Sequence, residues 1–549
     1  MLDIQKKKSN SFFVLLSLPS TAMGFALSVQ ISALSWILST KYGLDIHEIG
    51  IVWAAGPIAG IVAQPIVGLV SDKLWFMGGR RRPWIVVGSL LAALMLLALP
   101  NLEIVQKIFV SGSDPKAGLL TIAVIVALLL DLSINVSLNP TRSLVADCTT
   151  LEERSKGYTW MQTISGSFGM LAYFIGGTMG NLALIYIGAI ITLLAAIIPA
   201  FLIEEPRHLA NTEETKKEDG ASTGKDILVS LFPLFGLLIY GIYVLVTKLF
   251  GITIPGRVHL LGMDLSIIEF TSLAIFVVTT LMVLTNALRI PKKANEYQKV
   301  LLAHSLTWVG VQTMFIYAFF FLSFTFINQK VELTPDTLDR VVSISDNVLT
   351  GIENDDPKVL KDIQFPDPKS NSKVFTQQNI EEIKDNLPAI KEVRGKSGKT
   401  NSMAFFILSL VSALLPAFVL NPIAERIGMV KTHYIAIFIM AIGYGGIFFI
   451  ANTAILYYMF IAIAGIGWGS VVSLPFAIMS EKVDQTKMGL YMGIFNLSVV
   501  LPQLVASFKM GEVVNNAADK SIVFGICMIT LAISGVLWMF VKNEKVAKK

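Results

Sequence analysis

The run Leu119-Leu-Thr-Ile-Ala-Val-Ile-Val-Ala-Leu-Leu-Leu130, continued by Asp131-Leu-Ser-Ile-Asn135 and Asn139-Pro140-Thr-Arg142-Ser-Leu-Val-Ala-Asp147, decides what kind of protein this is. So long an apolar stretch has no polar face to turn toward water. It does suit a bilayer, whose hydrocarbon core of about 30 Å needs about 20 apolar residues at about 1.5 Å of rise each. Asp131 then falls about 12 residues into the span 119 to 144, roughly 18 Å deep. Lipid rejects a charge there at about 2.5 to 3.5 kcal/mol, so the acid must be neutral, paired or facing a wet cavity. Asn135 and Arg142 follow at four and eleven positions, spacings that keep all three on one helix face.

Reading outward, about 14 segments pass the same length test, among them 48 to 71, 157 to 180, 227 to 250 and 266 to 288. The composition agrees. Hydrophobic residues make up 54% and charged residues 15% of the 549, with a mean hydropathy of +0.66, against roughly 25% charged in a soluble domain. With the N-terminus inside, Lys6 to Lys8, Arg80 to Arg82, Lys292, Lys293, Lys548 and Lys549 all fall on the cytoplasmic side, as the positive-inside rule requires. The net charge of +5 thus reports topology and not nucleic acid. Lys6 to Lys8 could also open a signal peptide, but the apolar run after them is long and lacks a small-x-small cleavage site, so it reads as the first span. The reading is a multi-pass protein of the cell membrane with both termini cytoplasmic. Cys148 and Cys527 fit neither a disulfide framework nor a metal site, and no histidine spacing suits a metal.

Two echoes reveal an internal repeat. The loop Gly68-Leu-Val-Ser-Asp72-Lys73 followed by Gly79-Arg80-Arg81-Arg82-Pro83 is matched by Asn421-Pro-Ile-Ala-Glu425-Arg426-Ile-Gly428. Pro140-Thr-Arg142 with Asp147 is matched by Pro475-Phe-Ala-Ile-Met-Ser-Glu481. Repeated halves around a midplane site are how secondary transporters are built. Residues 1–203 read as one six-helix bundle and 301–549 as a second, containing the outer loop 328–401. Residues 204–300 supply cytoplasmic linkers and two inserted helices.

Gly56-Pro57-Ile-Ala-Gly60-Ile-Val-Ala-Gln64-Pro65-Ile-Val-Gly68, the Gly79 to Pro83 loop and the Asp131 to Asp147 stretch together resemble the major facilitator superfamily, and within it the sucrose transporters and glycoside-pentoside-hexuronide cation symporters. The resemblance implies an all-α polytopic membrane fold of two six-helix bundles, here with two extra central helices. It further implies proton-coupled symport of a sucrose- or maltose-like disaccharide by alternating access, with Asp131 serving both sugar and proton. Sodium is the other coupling ion the residues allow; no further cofactor is implied. Asp72, Lys73, Arg80, Arg81 and Arg82 resemble the family's gating loop. Arg142, placed to pair with Asp72 or Asp147, joins Glu425, Arg426 and Glu481 as the remaining gate candidates.

Other polar or aromatic residues near mid-depth are Gln30, Trp308, Gln312, Trp468 and Asn496. Amides offer donor and acceptor to vicinal hydroxyls, and an indole covers the apolar face of a sugar ring. Each could equally make an ordinary interhelical contact. The outer loop is dense in both signs of charge and reads as a small cap or a solvated linker, with a dedicated substrate or partner site as the other reading, and it has a helix start at Thr334-Pro335-Asp336. A partner for it is not identified.

Three other function classes bear on the reading. A drug-proton antiporter also has fourteen helices, but its G-P-x-x-G-G motif is reduced here to Ala172-Tyr173-Phe174-Ile175-Gly176-Gly177. A sensor on a transporter fold would bind without flux. An enzyme is not expected, since no nucleophile, base and metal converge. Gly395-Lys-Ser-Gly398-Lys399-Thr400 lacks the first glycine of a phosphate loop, and Gly465-Ile-Gly467-Trp-Gly469 lies inside an apolar helix where close packing explains it.

Overall fold

The computed structural model describes residues 9–61, 78–109, 115–149, 151–205, 224–250, 252, 255–260, 263–366, 373–415, 419–483 and 488–543. In chain order the main helices are α1 (Asn10–Thr40), α2 (Ile46–Trp53), α3 (Arg82–Ala98), α4 (Pro115–Cys148), α5 (Leu151–Met179), α6 (Asn181–Leu202), α7 (Phe235–Phe250), α8 (Ile267–Thr285) and α9 (Lys292–Lys330). Four short helices follow: α10 (Pro335–Val341), α11 (Asp346–Glu353), α12 (Pro357–Gln364) and α13 (Gln377–Asp385). The remainder are α14 (Leu387–Leu415), α15 (Asn421–Ile427), α16 (Met429–Phe449), α17 (Ala454–Lys482), α18 (Met488–Val505) and α19 (Ile522–Met539). Among the described residues, the sheet is one antiparallel hairpin, Arg257–Leu260 against Met263–Ser266, between α7 and α8.

Twelve helices of the described residues are long and apolar enough to cross a membrane. The expected count of about 14 differs in two places. The segment 48 to 71 is described only as far as Ile61, and 157 to 180 falls in α5, a 29-residue helix that is not among the twelve. Its Ser165, Gly166, Ser167 and Gly169 dilute its hydropathy.

The chain forms two compact units. The first comprises residues 1–210, 316–406 and 518–520. Here α1 packs on α5 and α6, and α3 packs on α4. Small residues allow the approach, as they do wherever helices associate without water to drive them. A Cβ on Gly24 would lie 2.5 Å from Ser165 Oγ, and one on Gly88 2.3 Å from Ser137 Oγ. Pro19 inside α1 and Pro140 inside α4 each remove a backbone hydrogen bond from their helix, a loss that neighbouring helices can compensate.

The outer loop is a folded cap within this first unit. Ile327, Leu338, Val341, Leu349, Ile352, Ile380, Ile383 and Ile390 form its apolar core. Thr334 starts α10 as the sequence predicts, its hydroxyl accepting from the Thr337 amide with Pro335 in the first turn. Ser345, Asp356 and Thr376 cap the next three helices in the same way. Of the two readings of 328–401, the structure thus has the cap and not the solvated linker, because its helices present enough apolar residues to bury one another. The Lys520 ammonium, fully buried, pairs with Asp339 at 2.9 Å, and Lys373 meets the same carboxylate at 2.6 Å. Burial pushes the Asp339 carboxyl up, but the two lysines hold it below the usual carboxylate range.

The second unit comprises residues 211–315, 407–517 and 521–549. In it α7 pairs with α8, and α16 packs on both α17 and α19. Gly467 lies where a Cβ would be 2.6 Å from the Ala436 carbonyl, so the Gly465 to Gly469 glycines serve close helix packing. Gly395 to Thr400 lies inside α14 and forms no phosphate loop.

Candidate functional site

In the first unit the side chains converge on Asp131. It sits on α4 at 6% exposure, and Gln30 of α1 donates its Nε2–H to Asp131 Oδ2 at 2.9 Å. Asn135, one turn on, donates to the Asp131 backbone carbonyl at 2.8 Å. Gly56 lies against this carboxyl group: a Cβ there would stand 3.3 Å from Asp131 Oδ2, close enough that the carboxylate would have to shift by a few tenths of an ångström. Three expected residues thus have defined places around one another, and Gly56 acquires a steric reason.

The second unit holds an aromatic and amide group. The rings of Trp308 on α9 and Trp468 on α17 meet edge to face with centroids 6.1 Å apart, and Trp468 meets Phe315 in the same manner at 5.4 Å. Trp308 donates its indole N–H to His304 Nε2 at 2.9 Å, and the His304 ring stacks on Phe495 at 4.7 Å. Gln312 accepts from Gln503 Nε2 of α18 at 3.2 Å. Asn496, half-buried on α18, makes no hydrogen bond with another described residue. His304 and Gln503 were not singled out from the sequence. The four-residue spacing of His304 and Trp308 on one helix was the signal available for the first.

The charged loop before α3 is organised by an acid that sequence reading missed. Glu205, just past α6, accepts the backbone amides of Arg80, Arg81 and Arg82 at 2.7, 2.9 and 2.6 Å. A carboxylate thus satisfies orphan amides at the positive end of α3. Gly79 leaves room for it, since a Cβ there would be 2.6 Å from Glu205 Oε1. The Arg80 and Arg81 side chains both reach Asp147, at 2.8 and 3.2 Å. Asp147 therefore takes these two arginines and not Arg142, which is exposed on α4 and has no acidic partner among the described residues. Arg82 contributes its backbone. Asp72 and Lys73 lie outside the described residues. Glu425 and Arg426 are exposed in the last turn of α15, and Glu481 is exposed near the end of α17. Among the described residues no group of histidines, cysteines and acids could hold a metal ion.

The helical architecture and this charged loop define a class. The Major Facilitator Superfamily profile matches residues 16–332 and 385–507, and the chain belongs to that family. Among individual relatives, it is 30% identical over 173 residues to the general alpha-glucoside permease of Schizosaccharomyces pombe, covering 29% of this chain and 31% of that protein. To the sucrose transport protein SUC3 of Arabidopsis thaliana it is 28% identical over 190 residues, covering 33% and 31%. The matched stretches thus span about a third of the length of these relatives. The solved nucleoside transporter NupG aligns over 96% of this chain and 100% of its own with a TM-score of 0.56 and 12% identity, a likeness of fold alone.

Proposed function

We propose that this protein is a secondary active transporter that carries a glycoside, a sucrose- or maltose-like disaccharide, together with a proton by alternating access. The observation that carries this reading is the buried Gln30–Asp131 pair: a carboxyl group and an amide donor held side by side within a membrane-spanning helix pair. Such a pair accepts sugar hydroxyls and offers a proton site in one place. The named activities of the relatives, an alpha-glucoside permease and a sucrose transport protein, point the same way.

In this reading Asp131, Gln30 and Asn135 hold sugar and proton. Trp308, Trp468, Gln312 and Asn496 are further candidates for sugar contact, by their ring faces and amides. Trp308 has its N–H engaged by His304, so it contributes a face and not a donor. Arg80, Arg81, Asp147 and Glu205 form a charge cluster that holds one state of the gate and loosens in the other, and Arg142, Glu425, Arg426 and Glu481 remain further gate candidates. The termini face the cytoplasm of a cell whose plasma membrane the protein spans.

The test is uptake of labelled maltose and sucrose into proteoliposomes under an inward proton gradient, a sodium gradient or neither. Proton-driven accumulation by wild type, reduced to passive exchange by Asp131→Asn, is the expected result. Accumulation driven only by sodium overturns the choice of ion, and absence of sugar flux under every gradient overturns the glycoside.

A further inference from the structure

The cap contains a cavity of about 240 Å³ that the transport reading does not use. Its wall is part cap and part the chain just after α1, where Tyr42 and Asp45 stand beside Phe375, Ser343 and Val348. Gly43 makes that junction: its φ of +67° and the 3.0 Å between its Cβ position and Ser345 Cβ leave no other residue comfortable there.

The charges around the cavity are mostly accounted for. Arg340 is held bidentately by Asp336 at 2.8 and 3.0 Å and lies over the Phe375 ring at 5.8 Å, while Lys373 is held by Asp339. Neither cation is left to attract an anion. What remains is hydrogen-bonding capacity of a different kind. Asp362 is exposed at the cavity with no partner among the described residues, and the Ser343 hydroxyl is shielded from solvent and unpaired. Two aromatic rings and a free carboxylate around a space of this size match the needs of a neutral polyol ring, whose C–H face covers aromatic surface while its hydroxyls donate to oxygen acceptors. The volume lies below the roughly 300 Å³ at which pockets for drug-sized ligands begin, which limits the occupant to about one hexose ring.

From this we infer that the cap cavity is a second saccharide site, separate from Asp131, that takes a single sugar ring or the terminal glucosyl unit of the transported disaccharide. The inference rests on the glycoside reading and adds a capture step before transport. Capture there speeds loading of the transport site, so loss of the cap site raises KM and leaves kcat unchanged.

The test is equilibrium binding of labelled glucose and maltose to the full-length protein in nanodiscs. Wild type is expected to show two classes of site. Asp362→Ala and the cavity-filling Val348→Trp each weaken one class at least tenfold and spare the other, whereas Asp131→Asn does the reverse. Asp362→Ala alters an exposed side chain and decides the matter even where Val348→Trp disturbs the cap. A single class in wild type, sensitive only to Asp131→Asn, overturns the cap site and leaves the transport reading standing. Two classes that both ignore Asp362→Ala also overturn it. No saccharide binding in any variant overturns both.

Discussion

Gln30 and Asp131 meet across two helices, and both side chains are buried. A hydrogen bond to a charged group contributes about 1.5 to 3 kcal/mol, and its loss leaves a buried polar atom unsatisfied. Gln30→Leu is therefore expected to lower proton-driven sugar uptake at least tenfold with the amount of protein in the membrane unchanged, measured by initial rates in proteoliposomes. His304 acts at one remove, by fixing the Trp308 indole. His304→Phe preserves the stack on Phe495 but leaves the indole N–H without an acceptor, at a cost of about 1 to 3 kcal/mol. Its expected signature is a KM raised about fivefold with kcat within about twofold of wild type, together with a shift in tryptophan emission. An unchanged KM and emission would show that the ring does not position Trp308.

For the elements, two predictions concern α3. Its N-terminus depends on Glu205, and the macrodipole favours a negative charge there by up to about 2 kcal/mol in partly buried geometry. Glu205→Ala removes the charge and the acceptor, and is expected to lower the melting temperature in detergent by a few degrees. Glu205→Gln, which keeps an acceptor, is expected to recover part of the loss. The other face of α3 is set by Gly88, whose Cβ position lies 2.7 Å from the Ser133 carbonyl on α4. Gly88→Ala forces the two helices apart, with an expected destabilisation of about 1 to 3 kcal/mol from overpacking. A melting temperature equal to wild type would mean that α3 and α4 can separate freely at this point.

For the whole molecule, the cap is the feature whose attachment can be tested. Asp339 lies between Lys373 and buried Lys520, and its carboxyl is held below the usual carboxylate range. A depressed folded value means that this contribution is present above the unfolded value of about 3.9 and is lost as pH falls through the lower folded one. The cap is thus expected to be anchored at pH 6 to 8 and to loosen in strong acid, followed as faster amide exchange in residues 335–390. Lys520→Ala leaves the carboxylate half-buried with one partner. It is expected to cost about 3 kcal/mol, the lower end for a broken buried pair, and to produce at neutral pH the exchange that wild type shows only in acid.

The sequence by itself determined what depends on length and local spacing. Runs of about 20 apolar residues specify the membrane and the helices, the Gly56 to Asp147 motifs specify the family, counting along the run puts Asp131 inside a spanning helix, and Thr334-Pro335 starts α10. The tertiary structure decided which groups meet. Gln30 finds Asp131 from 101 positions away, Glu205 caps a helix 123 positions earlier, and Asp147 takes Arg80 and Arg81 in place of the nearer Arg142. It also decided that the described residues of 328–401 form a cap, since a cap core assembled from several short helices exists only once they have packed. The physical reason is range: helix periodicity and capping act within about four residues and can be read along the chain, whereas a hydrogen bond between helices depends on which faces the packing brings together.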